Sequence, residues 1–268
     1  MIPLVVLDLD GTIVGASGTV AECVWQAAEK VRSAGVKISV CTGRPHGGLA
    51  EKIATRLGPH TPHIFQSGAQ IAYADGETLQ AFALKEANTR ALIEHARDYG
   101  LVLEIYTPNE IFVERKTPTS EAHAKMLGMS AIIRDLSDVV ENEPVVRVQW
   151  VLNADQVDQA LGLELDTVQI SHAVSPALQG SHLISVTQKG VSKGSALTRL
   201  AEIVKVDVAN VMAVGDSEGD LPMLQVVGHP LVMGNASEAL RDRFESIGSV
   251  DTCGAVEALE QALSLQRS

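Results

Sequence analysis

Two short apolar runs, far apart in the chain, each end abruptly in paired aspartates. Residues 2–7 lead into Asp8-Leu9-Asp10-Gly11-Thr12, and Val211-Met212-Ala213-Val214 leads into Gly215-Asp216-Ser217-Glu218-Gly219-Asp220. A run that is apolar at every position and too short for a helix reads as a strand buried on both faces, as in parallel sheets covered by helices. If the two strands are neighbours in one such sheet, all four aspartates gather at its carboxyl edge, where open α/β folds bind ligands. Aromatic residues make up only 3% of the chain against 46% hydrophobic residues. The core is therefore aliphatic, which suits helices packed on parallel strands.

Periodicity divides the chain into two styles. Helices are predicted over residues 20–34 and from Pro45 to about 57, with strands at 36–41 and 63–66. The middle differs: helix 86–99, a hairpin of 101–107 and 110–116 around Pro108-Asn109, helix 119–127, strand 145–152, helix 154–163, and strands 165–174 and 182–187. After Lys193 the first style returns, with helix 194–204, strand 211–214, a helix from Leu221, strand 230–233 and helix 255–265. We read a parallel-sheet α/β core formed by residues 1–82 and 184–268, with an α+β domain inserted at 83–183. A length of 268 residues accommodates both.

The formal charge of −12 argues against nucleic acid or an anionic membrane as a partner, since phosphate backbones require clustered Lys and Arg. A small phosphorylated substrate stays open, because a metal ion and a few local cations can reverse the field inside one cleft. Cys23, Cys41 and Cys253 are odd in number, widely spaced and without CxxC, which makes no case for a disulfide or zinc and suits a reducing compartment. With no signal-like N-terminus and no apolar run of membrane-spanning length, a cytoplasmic protein is expected.

Asp8 and Asp10 directly follow a buried strand. At 4 Å and an effective dielectric of 20, two carboxylates repel by about 4 kcal/mol. A divalent cation removes that penalty, and hard oxygen ligands beside phosphate favour magnesium. The alternative is a solvated turn. Asp216 and Asp220 present the same choice, with a helix N-cap as the alternative. Thr42-Gly43-Arg44 sits at a third strand-to-helix junction, where Thr42 either caps the helix or presents its hydroxyl and nearby N–H groups to a phosphoryl oxygen. Arg44 is then an anion contact or an exposed side chain. Lys193 stands at a predicted helix start, mildly unfavourable for a cation unless an anion lies between them; a solvated lysine, or Lys189 in its place, is the competing reading. His46 is expected at the surface.

DxDGT, then TGR, then a lysine, then GDxxxD, with Met233-Gly234-Asn235-Ala236 near the end, resembles the haloacid dehalogenase-like hydrolase superfamily. The insertion is similar to the type IIB cap of the Cof-like phosphatases. This resemblance implies a Rossmann-like core with an inserted cap closing over the leaving group. It implies Asp8 as nucleophile forming an aspartyl-phosphate, and Asp10 as general acid and base. Thr42, Gly43, Arg44 and Lys193 would hold the phosphoryl group. Mg2+ would be held by Asp8, the backbone carbonyl of Asp10 and Asp216, with Asp220 in support. The implied substrate is a small phosphate monoester, a sugar phosphate or phosphorylated cofactor.

Two positions depart from the pattern: Gly219 and Ser67 stand where relatives commonly carry Asn. A sugar phosphomutase is the alternative, with Arg115, Lys116 and Arg147 as candidates for a second phosphate. A receiver-like phosphoacceptor is a remoter one. The residues that set specificity and the oligomeric state are not legible in the sequence.

Overall fold

The structure, a computed structural model, describes residues 1–174 and 180–267. In chain order the strands are β1 (Leu4–Leu7), β2 (Lys37–Val40), β3 (His63–Phe65), β4 (Gln70–Ala72), β5 (Thr78–Ala81), β6 (Leu103–Tyr106), β7 (Ile111–Val113), β8 (Ala131–Ile133), β9 (Arg147–Asn153), β10 (Val168–Val174), β11 (Ser181–Gln188), β12 (Val211–Gly215), β13 (His229–Val232) and β14 (Glu245–Ser246). The helices are α1 (Glu22–Ser33), α2 (Gly48–Leu57), α3 (Glu86–Tyr99), α4 (Pro118–Leu127), α5 (Leu136–Asn142), α6 (Val157–Leu161), α7 (Lys193–Val204), α8 (Leu221–Leu224), α9 (Glu238–Arg241) and α10 (Ala255–Arg267). Mixed α/β architecture with a parallel central sheet is the outcome expected from the two apolar runs.

The chain divides into two compact units. The first comprises Met1–Arg44, Ala50–Leu79 and Ser192–Ser268. Its five-stranded sheet has the order β14-β13-β12-β1-β2, with every neighbouring pair parallel. β1 is an interior strand, Leu4–Leu7 pairing residue for residue with Val211–Val214 of the central β12 on one side and Lys37–Val40 on the other. All four β1 side chains are fully buried, which is why the run shows no alternation. Leu4 and Val6 pack with Leu197 and Leu200 of α7 and with Val211 and Ala213 of β12. The ladder runs one residue beyond β1, with Asp8 N–H donating to Val214 O at 3.0 Å. Parallel strands in level register therefore deliver both acidic loops to the same edge.

The second unit comprises Pro45–Leu49 and Gln80–Val191, where the sequence reading drew its boundaries at 83 and 183. Its six-stranded sheet runs β10-β11-β9-β6-β7-β8, antiparallel except for β7–β8. Strict alternation splits this sheet into two faces. Leu103, Ile105, Val148, Trp150, Ile184 and Val186 form one apolar core with residues of α3 and α5, including Leu92, Ile93 and Val139. The opposite face holds an apolar cluster of Ile111 and Val113 with Ala124 and Leu127 of α4, and beside it a polar patch that register sets out in two rows. Glu104, Gln149, Ser185 and Ser171 lie across neighbouring strands in one row; Tyr106 and Arg147 stand opposite each other in the next.

Three expectations are corrected. The helix placed from Pro45 begins instead at Gly48, because Gly47 and Gly48 adopt φ of +121° and +55° and break any helical turn there. His46, expected at the surface, is buried. Cys23 and Cys253, for which no bond was expected, form a disulfide with Cα atoms 6.7 Å apart. They are separated by 230 residues, so no spacing signal existed; packing of α1 against α10 brings them together. The bond removes the support that the cysteine count lent to a reducing compartment. Cys41 remains a buried free thiol. No helix among the described residues is long and apolar enough to cross a membrane.

Alkylation of the denatured, unreduced chain is expected to label one cysteine, Cys41, and three after reduction. Reduction should lower the unfolding free energy by about 2–4 kcal/mol in urea titrations. Three reactive thiols before reduction would show that the crosslink is absent.

Candidate active site

Asp8 directly follows β1, Asp216 directly follows β12, and Asp220 closes the short turn after it. Carboxylate oxygens of the three lie within 4.8 Å of one another. Lys193 reaches into this group: its Nζ donates to Asp8 Oδ1 and to Asp220 Oδ1, each at 2.6 Å. Lys193 is the first residue of α7, and the helix start explains its direction. Ser192 is the N-cap, its Oγ accepting from Ser195 N–H at 3.1 Å while Ser195 Oγ accepts from Ser192 N–H at 2.9 Å. The serines close the helix end, and the lysine is buried beneath it rather than solvated. Lys189, the competing candidate, is exposed.

Asp220 is fully buried and divides its oxygens between two tasks. Oδ1 takes Lys193, while Oδ2 accepts from Asp216 N–H, Ser217 N–H and Ser217 Oγ at 3.0, 3.0 and 2.9 Å. It shapes the loop that presents Asp216. Two glycines permit the packing. A Cβ at Gly215 would lie 2.4 Å from Asp220 Cβ, and one at Gly11 would lie 2.0 Å from Asp216 Oδ2, where φ of +83° also excludes most side chains.

The charges do not balance. Burial, then the Asp220 carboxylate, pushes Asp8 well above the usual carboxylate range despite the ammonium beside it. Burial opposes the charge on Lys193, but Asp220 and Asp8 outweigh it and hold the ammonium above its ordinary value. Burial and Asp220 raise Asp216 to about 6. Asp216 Oδ1 is buried without a hydrogen-bond partner among the described residues, while its Oδ2 meets Asn235 Nδ2 at 3.3 Å. Hard oxygen donors, excess negative charge and an unpartnered buried oxygen fit a divalent cation.

The other sequence candidates make different contacts. The Asp10 carboxylate is outside the three-carboxylate group and more than half exposed. Arg44 grips it with both prongs, Nε to Oδ2 and Nη2 to Oδ1, each at 2.8 Å. Thr42 is fully buried, and its Oγ1 accepts from Arg44 N–H at 3.1 Å. It thus caps its own turn and not α2, whose start is six residues on. Thr42 O accepts from Ser67 N–H at 2.9 Å, and Arg44 O from Gln66 N–H at 2.9 Å.

These bonds hold Gln66 and Ser67 at φ of +54° and +57°, two consecutive left-handed residues that are not glycine. Asparagine tolerates that conformation better than serine, a backbone reason for the asparagine that the family resemblance implies at 67. At Gly219 the backbone is not left-handed, and an added Cβ would meet only Ser217 Oγ at 3.4 Å. Packing therefore leaves room for a side chain there. Arg147, weighed for a second phosphate, is buried with its guanidinium 4.0 Å above the Tyr106 ring. In the sequence Asn235 stands out only as part of the Met233-Gly234-Asn235-Ala236 motif. Its signal was its place just after β13, the neighbour of β12.

A family model of haloacid dehalogenase-like hydrolases matches residues 5–256. Among curated relatives, 5-amino-6-(5-phospho-D-ribitylamino)uracil phosphatase YwtE of Bacillus subtilis is 22% identical, covering 98% of each chain. Pyridoxal phosphate phosphatase YbhA of Escherichia coli is 24% identical over 94% of this chain and 95% of its own. Among solved structures, BT1666 of Bacteroides thetaiotaomicron, a phosphatase of the HAD enzyme superfamily, superposes with a TM-score of 0.80 at 27% identity, over 98% of this chain and 95% of that one.

The raised Asp216 has a consequence for the metal-free protein. Its proton is held more tightly in the folded state, so its contribution to stability is full below the ordinary carboxylate value of 3.8 and is lost as pH rises through about 6. In EDTA, the parent should lose on the order of 1–2 kcal/mol more than Asp216→Asn between pH 4 and 7.5, solvent screening included. Urea unfolding of both proteins at the two pH values measures this, and equal losses would contradict it.

Proposed function

The chain belongs to the haloacid dehalogenase-like hydrolases, and on that premise we propose that it is a magnesium-dependent phosphatase. Its substrate is a small phosphate monoester, and its nucleophile is Asp8. The observation that carries this reading is the Lys193 ammonium 2.6 Å from Asp8 Oδ1, inside a group of carboxylates too negative for one cation. With Oδ1 anchored, Oδ2 is the oxygen that attacks.

In the first half-reaction Asp8 Oδ2 bonds to phosphorus while the bond from phosphorus to the leaving oxygen breaks. Asp10 gives its proton to that oxygen, and the alcohol departs. Arg44 donates to both Asp10 oxygens and so favours the ionised carboxylate, and release of one of these bonds would favour the proton-bearing form. In the second half-reaction Asp10 takes a proton from water, the water oxygen bonds to phosphorus, and Asp8 is freed with release of phosphate. Lys193 stays within reach of the charge that develops on the phosphoryl oxygens, and the buried Thr42 turn, with Gly43 beside it, is the candidate cradle for them. Mg2+, held by Asp8, the Asp10 carbonyl and Asp216 with Asp220 in support, would neutralise charge on the phosphoryl group.

Relatives named for a phosphoribitylamino-uracil and for pyridoxal phosphate support a sugar phosphate or phosphorylated cofactor as the substrate class. The phosphomutase reading is weakened, because burial of Arg147 takes away one of its three candidate contacts for a second phosphate.

Phosphate release should be screened over a library of phosphorylated metabolites, with magnesium and with EDTA. Activity should require the metal, and Asp8→Asn should lose about 10^3-fold or more while still folding and unfolding cooperatively. Full turnover by folded Asp8→Asn would end the mechanism.

A further inference from the structure

We infer that Asn235 is a positioning residue for Asp216 and thereby sets the affinity of the carboxylate group for its divalent cation. This rests on the metal-site reading above. Asn235 follows β13, and its amide ties together three loops of the first unit. Val250 N–H donates to Asn235 Oδ1 at 2.9 Å, which fixes the amide's orientation and turns its NH2 toward the acidic loops. Nδ2 then donates to Gly11 O at 2.9 Å and to Asp216 Oδ2 at 3.3 Å. An NH2 group has two hydrogens, one for each acceptor.

The consequence lies in the rotation of one carboxylate. The terminal torsion of an aspartate is broad, so packing alone does not choose which oxygen faces inward. Oδ2 is engaged by Asn235 and Oδ1 is buried without a partner among the described residues, which on this reading assigns Oδ1 to the cation held with Asp8 and Asp220. The bond to Gly11 O meanwhile holds the loop that carries Asp8 and Asp10 against the loop that carries Asp216. The absent side chain of Gly11 makes that approach possible. Asn235 itself is exposed, so its removal leaves no buried cavity. It touches a metal ligand and not the reacting atoms.

Ser237 provides the comparison. Its Oγ accepts from Leu240 N–H and caps α9 two residues further on, with no hydrogen bond to the acidic loops among the described residues. Isothermal titration of Mg2+ into the full chain should give a Kd weaker by about tenfold or more for Asn235→Ala. Its kcat should approach the parent value as magnesium is raised. Ser237→Ala should lower the unfolding temperature and keep the parent Kd. If Asn235→Ala does not fold, Asn235→Ser is held to the same criterion.

A Kd within twofold of the parent in the folded Asn235 variant overturns the positioning role. If the parent binds no Mg2+, or binds it unchanged in Asp216→Asn, the metal-site reading fails and the inference falls with it. Parent binding that is lost in Asp216→Asn but kept in the Asn235 variant overturns the positioning role alone.

Discussion

A single buried ammonium stands between two buried carboxylates, and much of the first unit is arranged around it. Lys193 meets Asp8 and Asp220 at 2.6 Å each, with all three side chains nearly removed from solvent. Such an arrangement is poor evidence of selection for stability, since apolar groups of similar volume often do as well or better, while loss of one partner costs about 3–5 kcal/mol. The arrangement makes sense as chemistry. One positive charge among Asp8, Asp216 and Asp220 leaves a deficit that a bound cation can offset, and a phosphoryl group then arrives at a site with charge already fixed in place.

Three separate features deliver the lysine and its partners. Level pairing of β1 with β12 brings Asp8 and the Asp216 loop to the same edge. The serine pair at the start of α7 closes the helix end and sends Lys193 inward. Asp220 spends one oxygen on the loop backbone and one on the lysine, so loop shape and charge placement depend on the same side chain.

Much of this was legible in the sequence because it depends on short, local signals. An apolar run without alternation and too short for a helix reads as a strand covered on both faces, and an acidic turn after it marks the sheet edge. Strand pairs interspersed with helices similarly gave the α+β style of the second unit. What escaped notice depends on partners distant in the chain. The Cys23–Cys253 bond needs α1 beside α10, the Asp10–Arg44 pair needs two loops to face each other, and Asn235 joins Gly11, Asp216 and Val250. The start of α2 was misplaced because Pro45 is a good first helical residue, whereas the decisive constraint was the positive φ of Gly47 and Gly48.

The polar patch of the second unit grades from sealed to open. At one end Glu104 is buried, accepting from Tyr106 Oη at 2.5 Å and lying 2.8 Å from His123 Nδ1, while Gln149 accepts from Ser185 Oγ at 2.8 Å. At the other end Ser171, and Gln169 two residues before it, are exposed. Interlocked groups at the sealed end resist change, because altering one strands the others without partners. The outer strand carries no such debt. Divergence can therefore rewrite the lettering of β10 while the architecture beneath it stays fixed, giving a lineage freedom to explore new surface chemistry without first having to refold.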